Sequence, residues 1–136
     1  MQNNQTLLNK LNSRIFYVAP SKIHGVGLFA ITNIQPNTLI YSIDLSKWEY
    51  IKKTTILNRD LLPYLEKYYY YNKKINSFYI DTEFNHCFTH YINYSFDSSN
   101  IKYSKGQYIS KTLILKEEEI LINPKENNYN PNFPAQ

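Results

Sequence analysis

Between Arg14 and Ile122 the apolar residues come in short runs, and turn-forming residues cut each run before it reaches the length of a stable helix. Runs of four to eight residues bounded by Gly, Pro, Asn and Ser read as strands. On this basis strands are expected over residues 14–20, 28–34, 39–43, 78–80, 108–115 and 119–122. A glycine-containing turn is expected at residues 24–27, and Pro36 with Asn37 marks a second. One stretch changes period: Leu62, Leu65 and Tyr69 fall on one helical face. Asp60 is placed to cap that helix, and Pro63 is tolerated in its first turn. The helix is expected to fade into the tyrosine run at residues 68–71. Residues 1–13 are polar, with Leu7, Leu8 and Leu11 at helical spacing, which supports at best one short helix. No internal repeat is evident. Short strands with one helix imply an α+β fold that is mostly β. It occupies residues 14–124, between a polar segment, 1–13, and an Asn- and Pro-rich tail, 125–136, that reads as loose.

A chain of 136 residues is one domain's worth and long enough to bury its own core. The core has an unusual supply: 14 Tyr against 7 Phe and 1 Trp. Tyrosine buries a ring and keeps a polar handle, so several should sit half-exposed or line a cleft. The net charge of +4 is spread along the chain with only Arg14 and Arg59 as arginines, unlike the dense basic patches of DNA binders. No direct nucleic-acid partner is expected. Cys87 is the sole cysteine, which rules out an internal disulfide and a cysteine-built zinc cluster. No signal peptide or long apolar run is present, so the expected setting is soluble and intracellular, nucleus or cytoplasm unresolved, with no membrane partner.

Three separated segments carry the chemistry. The first is Ser21-Lys22-Ile23-His24-Gly25-Val26-Gly27-Leu28-Phe29-Ala30, a basic residue before G-x-G and a hydrophobic pair. Backbone without Cβ atoms can fold around a ligand and lend it N–H and C=O groups. The second is Tyr79-Ile80-Asp81-Thr82 followed by His90-Tyr91-Ile92-Asn93-Tyr94-Ser95, with Asp81 and Asn93 twelve apart, and then Phe96-Asp97-Ser98-Ser99-Asn100. The third runs from Ile109 through Glu117-Glu118-Glu119 to Asn123. In order and spacing these resemble the SET domain of AdoMet-dependent protein-lysine methyltransferases, over about residues 15–124. The matching family elements are G-x-G, then I-D-A, R-F-I-N-H-S and C-x-P-N, and finally G-E-E with its closing strand. The departures are Tyr94 for the family histidine, Glu117 for a glycine, and Pro124 in the slot of the catalytic tyrosine.

The resemblance implies a SET-type fold of small sheets with a knot-like C-terminal crossing, in which residues 93–100 thread under the closing strand. It implies S-adenosyl-L-methionine as cofactor and a lysine-containing protein or peptide as substrate, a histone among the candidates. His24, Gly25, Val26 and Gly27 would hold the amino-acid end of the cofactor; Asn93 and Tyr94 would bind its amino and adenine portions, and carbonyls near Tyr91 and Ile92 would face its methyl group. With Pro124 in the tyrosine slot, Tyr129 is the leading substitute, followed by Tyr94 and Tyr108. The alternative is a catalytically impaired SET-like module that binds AdoMet or a peptide; a third reading is an unrelated β-rich interaction domain. His86, Cys87 and His90 suit zinc by type, yet no fourth ligand is evident, so no metal is expected. A carboxylate among Glu117, Glu118 and Glu119 should accept backbone N–H bonds in a solvated turn.

Overall fold

The structure is a computed structural model that describes residues 4–83, 88–126 and 128–133, apart from the side chain of Lys10. Its elements, in order, are α1 (Asn4–Asn12), β1 (Phe16–Pro20), β2 (Val26–Ala30), β3 (Leu39–Ser42), β4 (Trp48–Lys52), α2 (Leu62–Tyr68), β5 (Tyr70–Asn72), β6 (Ser77–Asp81), β7 (Asn93–Tyr94), β8 (Ile101–Ser104), β9 (Gln107–Ser110) and β10 (Glu119–Ile122). Seven strands form one sheet in the order β1-β2-β10-β8-β9-β3, with β7 also paired to β10; β4-β6-β5 form a second. The fold is mostly β in small sheets, as expected. No helix among the described residues is long and apolar enough to cross a membrane.

Several boundaries differ from the sequence reading. β2 stops at Ala30 and β9 at Ser110, because each chain turns there and returns to the sheet through a single bridge, Ile34 to Ile114. The two turns are copies of one another. Ile34 and Ile114 exchange both backbone hydrogen bonds. Ala30 N–H donates to Glu118 O as Ser110 N–H donates to Thr38 O, and Glu117 N–H donates to Ala30 O as Asn37 N–H donates to Ser110 O. Partners match residue for residue eighty positions apart: Thr32 with Thr112, Ile34 with Ile114, Asn37 with Glu117, Ile40 with Ile120. The backbone therefore contains a repeat that the side chains, sharing only those buried isoleucines and a threonine, do not advertise. Asn37 and Glu117 both take left-handed φ, 62° and 70°.

The strands β4, β5, β7 and β8 were not expected. Tyr69 leaves α2 in extended conformation, so the tyrosine run becomes β5, paired to β6, instead of a fading helix. The helix start also differs. Asn58, not Asp60, is the cap: its side chain accepts from Asp60 N–H and opens a single 3-10 turn, Arg59–Leu61, that leads into α2 with Pro63 in its first turn. Leu65 on α2 packs against Phe78 and Ile80 of β6, the small core. The large core gathers Phe16, Leu28, Ile34, Ile92, Ile101, Ile114 and Ile120 with the buried Tyr103, Tyr108 and Tyr129.

β10 is the keystone. On one edge it pairs antiparallel with β2 at Glu119–Ile120 and parallel with β7 at Leu121–Ile122; on the other it pairs parallel with β8. Ser95 N–H donates to Ile122 O and Asn100 N–H to Leu121 O. Carbonyls of successive strand residues point to opposite edges, so residues 93–101 cross from one edge of β10 to the other. This is the knot-like crossing. Asn100, 4% exposed, locks it: Nδ2 donates to Glu119 O and Oδ1 accepts from Leu121 N–H, each at 2.8 Å. Over residues 128–133 the tail is packed, not loose. Tyr129 N–H donates to Pro124 O, which turns the chain back, and Phe133 stacks on Tyr70 with centroids 4.1 Å apart.

Candidate functional site

The glycine turn is built by two different physical demands. Gly25 has φ 48° with nothing near its missing Cβ, so it is a glycine for conformation. Gly27 has ordinary φ, but a Cβ there would meet Glu119 Oε2 at 2.3 Å and Asn93 Nδ2 at 3.1 Å, so it is a glycine for space. The close approach is by the protein's own carboxylate and amide. Ser21 N–H closes the turn on Gly25 O at 2.8 Å.

Asn93 joins the turn to the crossing. Its Nδ2 donates to His24 O at 3.1 Å, Val26 O at 3.2 Å and Glu119 Oε2 at 2.8 Å. Three oxygen acceptors around one amide atom can only surround the nitrogen, which leaves Oδ1 as an acceptor without a partner among the described residues. The Glu119 carboxylate also accepts from Ser21 Oγ at 2.8 and 3.0 Å. A cleft of about 340 Å³ opens beside this knot of bonds, lined by Ile23, His24, Thr89, His90, Ile92, Asn93, Tyr94 and Pro131. Thr89 Oγ1 is buried at its edge with no hydrogen-bond partner among the described residues.

The cleft thus brings together His24, Asn93 and Tyr94, with Gly25, Val26 and Gly27 forming the adjoining turn. Tyr91 lies exposed at the end of the single turn Phe88–Tyr91. Tyr94 is half-exposed, and desolvation pushes its phenol above the ordinary value, so it stays protonated at neutral pH. Ile122 is fully buried in β10, paired to Tyr94, and does not line the cleft. Tyr129 and Tyr108 are buried together, hydroxyls 3.0 Å apart, and Tyr129 Oη also reaches Thr89 O at 3.4 Å. Tyr94 and Tyr103 meet the Tyr129 ring edge-on at 6.2 and 5.1 Å. Behind the cleft therefore stands a cluster of four tyrosines.

Some contributors were not singled out in the sequence. Pro131 reaches the cleft because the tail folds back, and Thr89 because the single turn Phe88–Tyr91 carries it there; neither has a local signal. Glu119 was read as part of a solvated turn, whereas Glu118 takes that role: its Oε2 accepts from Leu115 N–H at 2.7 Å. Among the described residues no group of three or more His, Cys, Asp or Glu could hold a metal ion; His86 and Cys87 lie outside the described residues.

No curated protein matches the sequence. Among solved structures, the chain resembles ctPRC2 in an autoinhibited conformation bound to S-adenosylmethionine, at 19% identity over 88% of this chain and 16% of that one, TM-score 0.53. An apo ctPRC2 from the same fungus, Chaetomium thermophilum, gives 18% identity over 83% and 15%, TM-score 0.52. The methyltransferase domain of human PR domain-containing protein 2 gives 16% identity over 80% and 76%, TM-score 0.47. The chain spans a small part of the Polycomb chains it matches. At these identities the likeness to the two ctPRC2 chains carries the fold alone. The family is carried by the sequence itself: the model of the SET domain matches residues 25–123, most of the chain. The chain belongs to the SET-domain family.

Proposed function

We propose that the chain is an AdoMet-dependent protein-lysine N-methyltransferase. The observation that most supports it is that His24 of the glycine turn and Asn93 and Tyr94, far from it in sequence, line one cleft, with the Asn93 amide nitrogen bonded to the turn and to Glu119. His24, Gly25, Val26, Gly27, Tyr91, Asn93 and Tyr94 are the proposed cofactor-binding residues. Asn93 Oδ1 suits an ammonium donor, the His24–Gly27 turn the amino-acid end, and Tyr94 the flat, partly apolar remainder. When bound, the cofactor supplies an electrophilic methyl group on a sulfonium.

The chain's own residues must align a neutral amine with that methyl group and keep water out. A lysine amine has a pKa near about 10.4 in water, and dry aromatic walls lower it by disfavouring the ammonium. Tyr94 lines the cleft and would supply such a wall, with Tyr103, Tyr108 and Tyr129 packed behind it. With Pro124 unable to offer a hydroxyl, Tyr129 is the proposed catalytic tyrosine, with Tyr94 and Tyr108 beside it. The substrate class is a lysine-containing protein or peptide, a histone among the candidates, in an intracellular setting.

The test is transfer of tritiated methyl from AdoMet to histones and lysine peptide arrays. The parent is expected to transfer slowly, and Tyr129→Phe to fall by about a hundredfold, the scale on which misplacing an aligning group acts. Equal rates would remove Tyr129 from the mechanism. One observation favours a second reading, a binding module without turnover: Tyr129 is 7% exposed and its hydroxyl is already engaged. AdoMet binding with no transfer to any lysine substrate would establish that reading instead.

A further inference from the structure

The Glu119 carboxylate does not reach the cleft; it lies behind it, in contact with the one side chain whose orientation decides what the wall presents. Asn93 has two N–H bonds to give. Without Glu119, the carbonyls of His24 and Val26 at 3.1 and 3.2 Å are long and shared partners. The carboxylate at 2.8 Å takes one hydrogen outright, and a bond to an ionised acceptor is roughly twice as strong as a neutral one. Ser21 Oγ fixes the carboxylate from the other side, and Ser21 Oγ itself accepts from Ile23 N–H at 3.0 Å, tying the arrangement to the turn. Gly27 leaves the space the carboxylate needs.

We infer that Glu119 is a positioning residue: it holds the Asn93 amide nitrogen inward so that Oδ1 faces the cleft as an acceptor for a cationic N–H donor. This rests on the proposed cofactor reading for the identity of that donor, the α-ammonium of AdoMet. A carboxylate only accepts, so it enforces one amide orientation. A glutamine in its place can offer either an oxygen or an NH2 group to Asn93, so the orientation of the Asn93 amide then rests on the two longer carbonyl bonds alone.

The experiment compares the parent, Glu119→Gln and Ser21→Ala by two readouts. The first is the Asn93 side-chain amide in NMR without ligand: two separated, slowly exchanging N–H signals in the parent, collapsing toward solvent-like values in Glu119→Gln and shifting less in Ser21→Ala. The second is calorimetric binding of AdoMet and of 5′-methylthioadenosine, which lacks the amino-acid arm. Glu119→Gln is expected to lose about tenfold for AdoMet and less than about twofold for 5′-methylthioadenosine, since only AdoMet carries the ammonium. Equal losses for both ligands would make Glu119 a structural residue and overturn the inference. So would an unchanged Asn93 amide. Should the parent bind neither nucleoside, the methyltransferase reading fails, and the NMR comparison alone upholds or overturns the clamp.

Discussion

Gly27 stands over an internal carboxylate and Gly25 over open space, so alanine at the two positions should fail differently. Gly27→Ala forces Glu119 and Asn93 aside and is expected to cost about 1–3 kcal/mol, as overpacking does. Gly25→Ala meets nothing and pays only for a left-handed backbone, about 1 kcal/mol. Urea denaturation measures both; equal costs would mean Glu119 swings away freely. Glu117 gives the opposite sign. Its φ of 70° strains a residue with a Cβ, in the slot where the family carries glycine. Glu117→Gly should therefore stabilise by about 0.5–1 kcal/mol, while Asn37→Gly, from a residue that tolerates that region, should change little. At this scale the sequence was informative about where chemistry concentrates: Gly25, Gly27, Asn93 and Tyr94 could be picked out from motif spacing. It was silent about why Gly27 lacks a side chain, because the atom that excludes a Cβ belongs to Glu119, ninety-two positions away (119 − 27).

The crossing depends on one side chain more than on strand length. Asn100 satisfies two backbone groups of β10 that no strand partner reaches, Glu119 O and Leu121 N–H, in a buried position. Asn100→Ala strands both, and each buried unsatisfied group costs about 1–3 kcal/mol, so a loss of about 2–4 kcal/mol is expected in thermal or chemical unfolding. Asn100→Asp keeps the acceptor and loses the donor, and should fall between. Element by element, legibility followed the burial pattern. β10 and β6 are buried runs and were found. β8 alternates buried Ile101 and Tyr103 with exposed Lys102 and Ser104, a period-two signal that was present but too short to outweigh its polar neighbours. β5 was hidden because Tyr68 to Tyr71 suits helix and strand alike, and only pairing with β6 decides between them. The duplicated turns could not be seen as a repeat, since hydrogen bonds define them and only a few residue types recur.

Across the whole molecule, the tail ties the two sheets. Tyr129 fills the large core, Asn132 O accepts from Tyr70 N–H, Asn132 Nδ2 donates to Lys67 O, and Phe133 lies between Tyr70 and Tyr79. Phe133→Ala removes a stacked ring and should cost about 2 kcal/mol, less than for a fully buried phenylalanine. Hydrogen exchange by mass spectrometry should show faster exchange over β5, with β10 unchanged; protection lost equally from both would mean the sheets unfold as one unit. A composition rich in Asn and Pro hid this role, because disorder is read from averages and anchoring is done by two aromatic residues. The position of β10 also has a bearing on how the protein comes into being. Glu119, β10, Tyr129 and Phe133 leave the ribosome after every strand, turn and core they complete. The nascent chain therefore carries a cleft without its back wall until β10 has been made, and a product cut short before residue 119 would have neither the crossing nor the Asn93 clamp. The order of translation thus makes the cleft an indicator that synthesis has passed β10, since nothing short of that strand can assemble it.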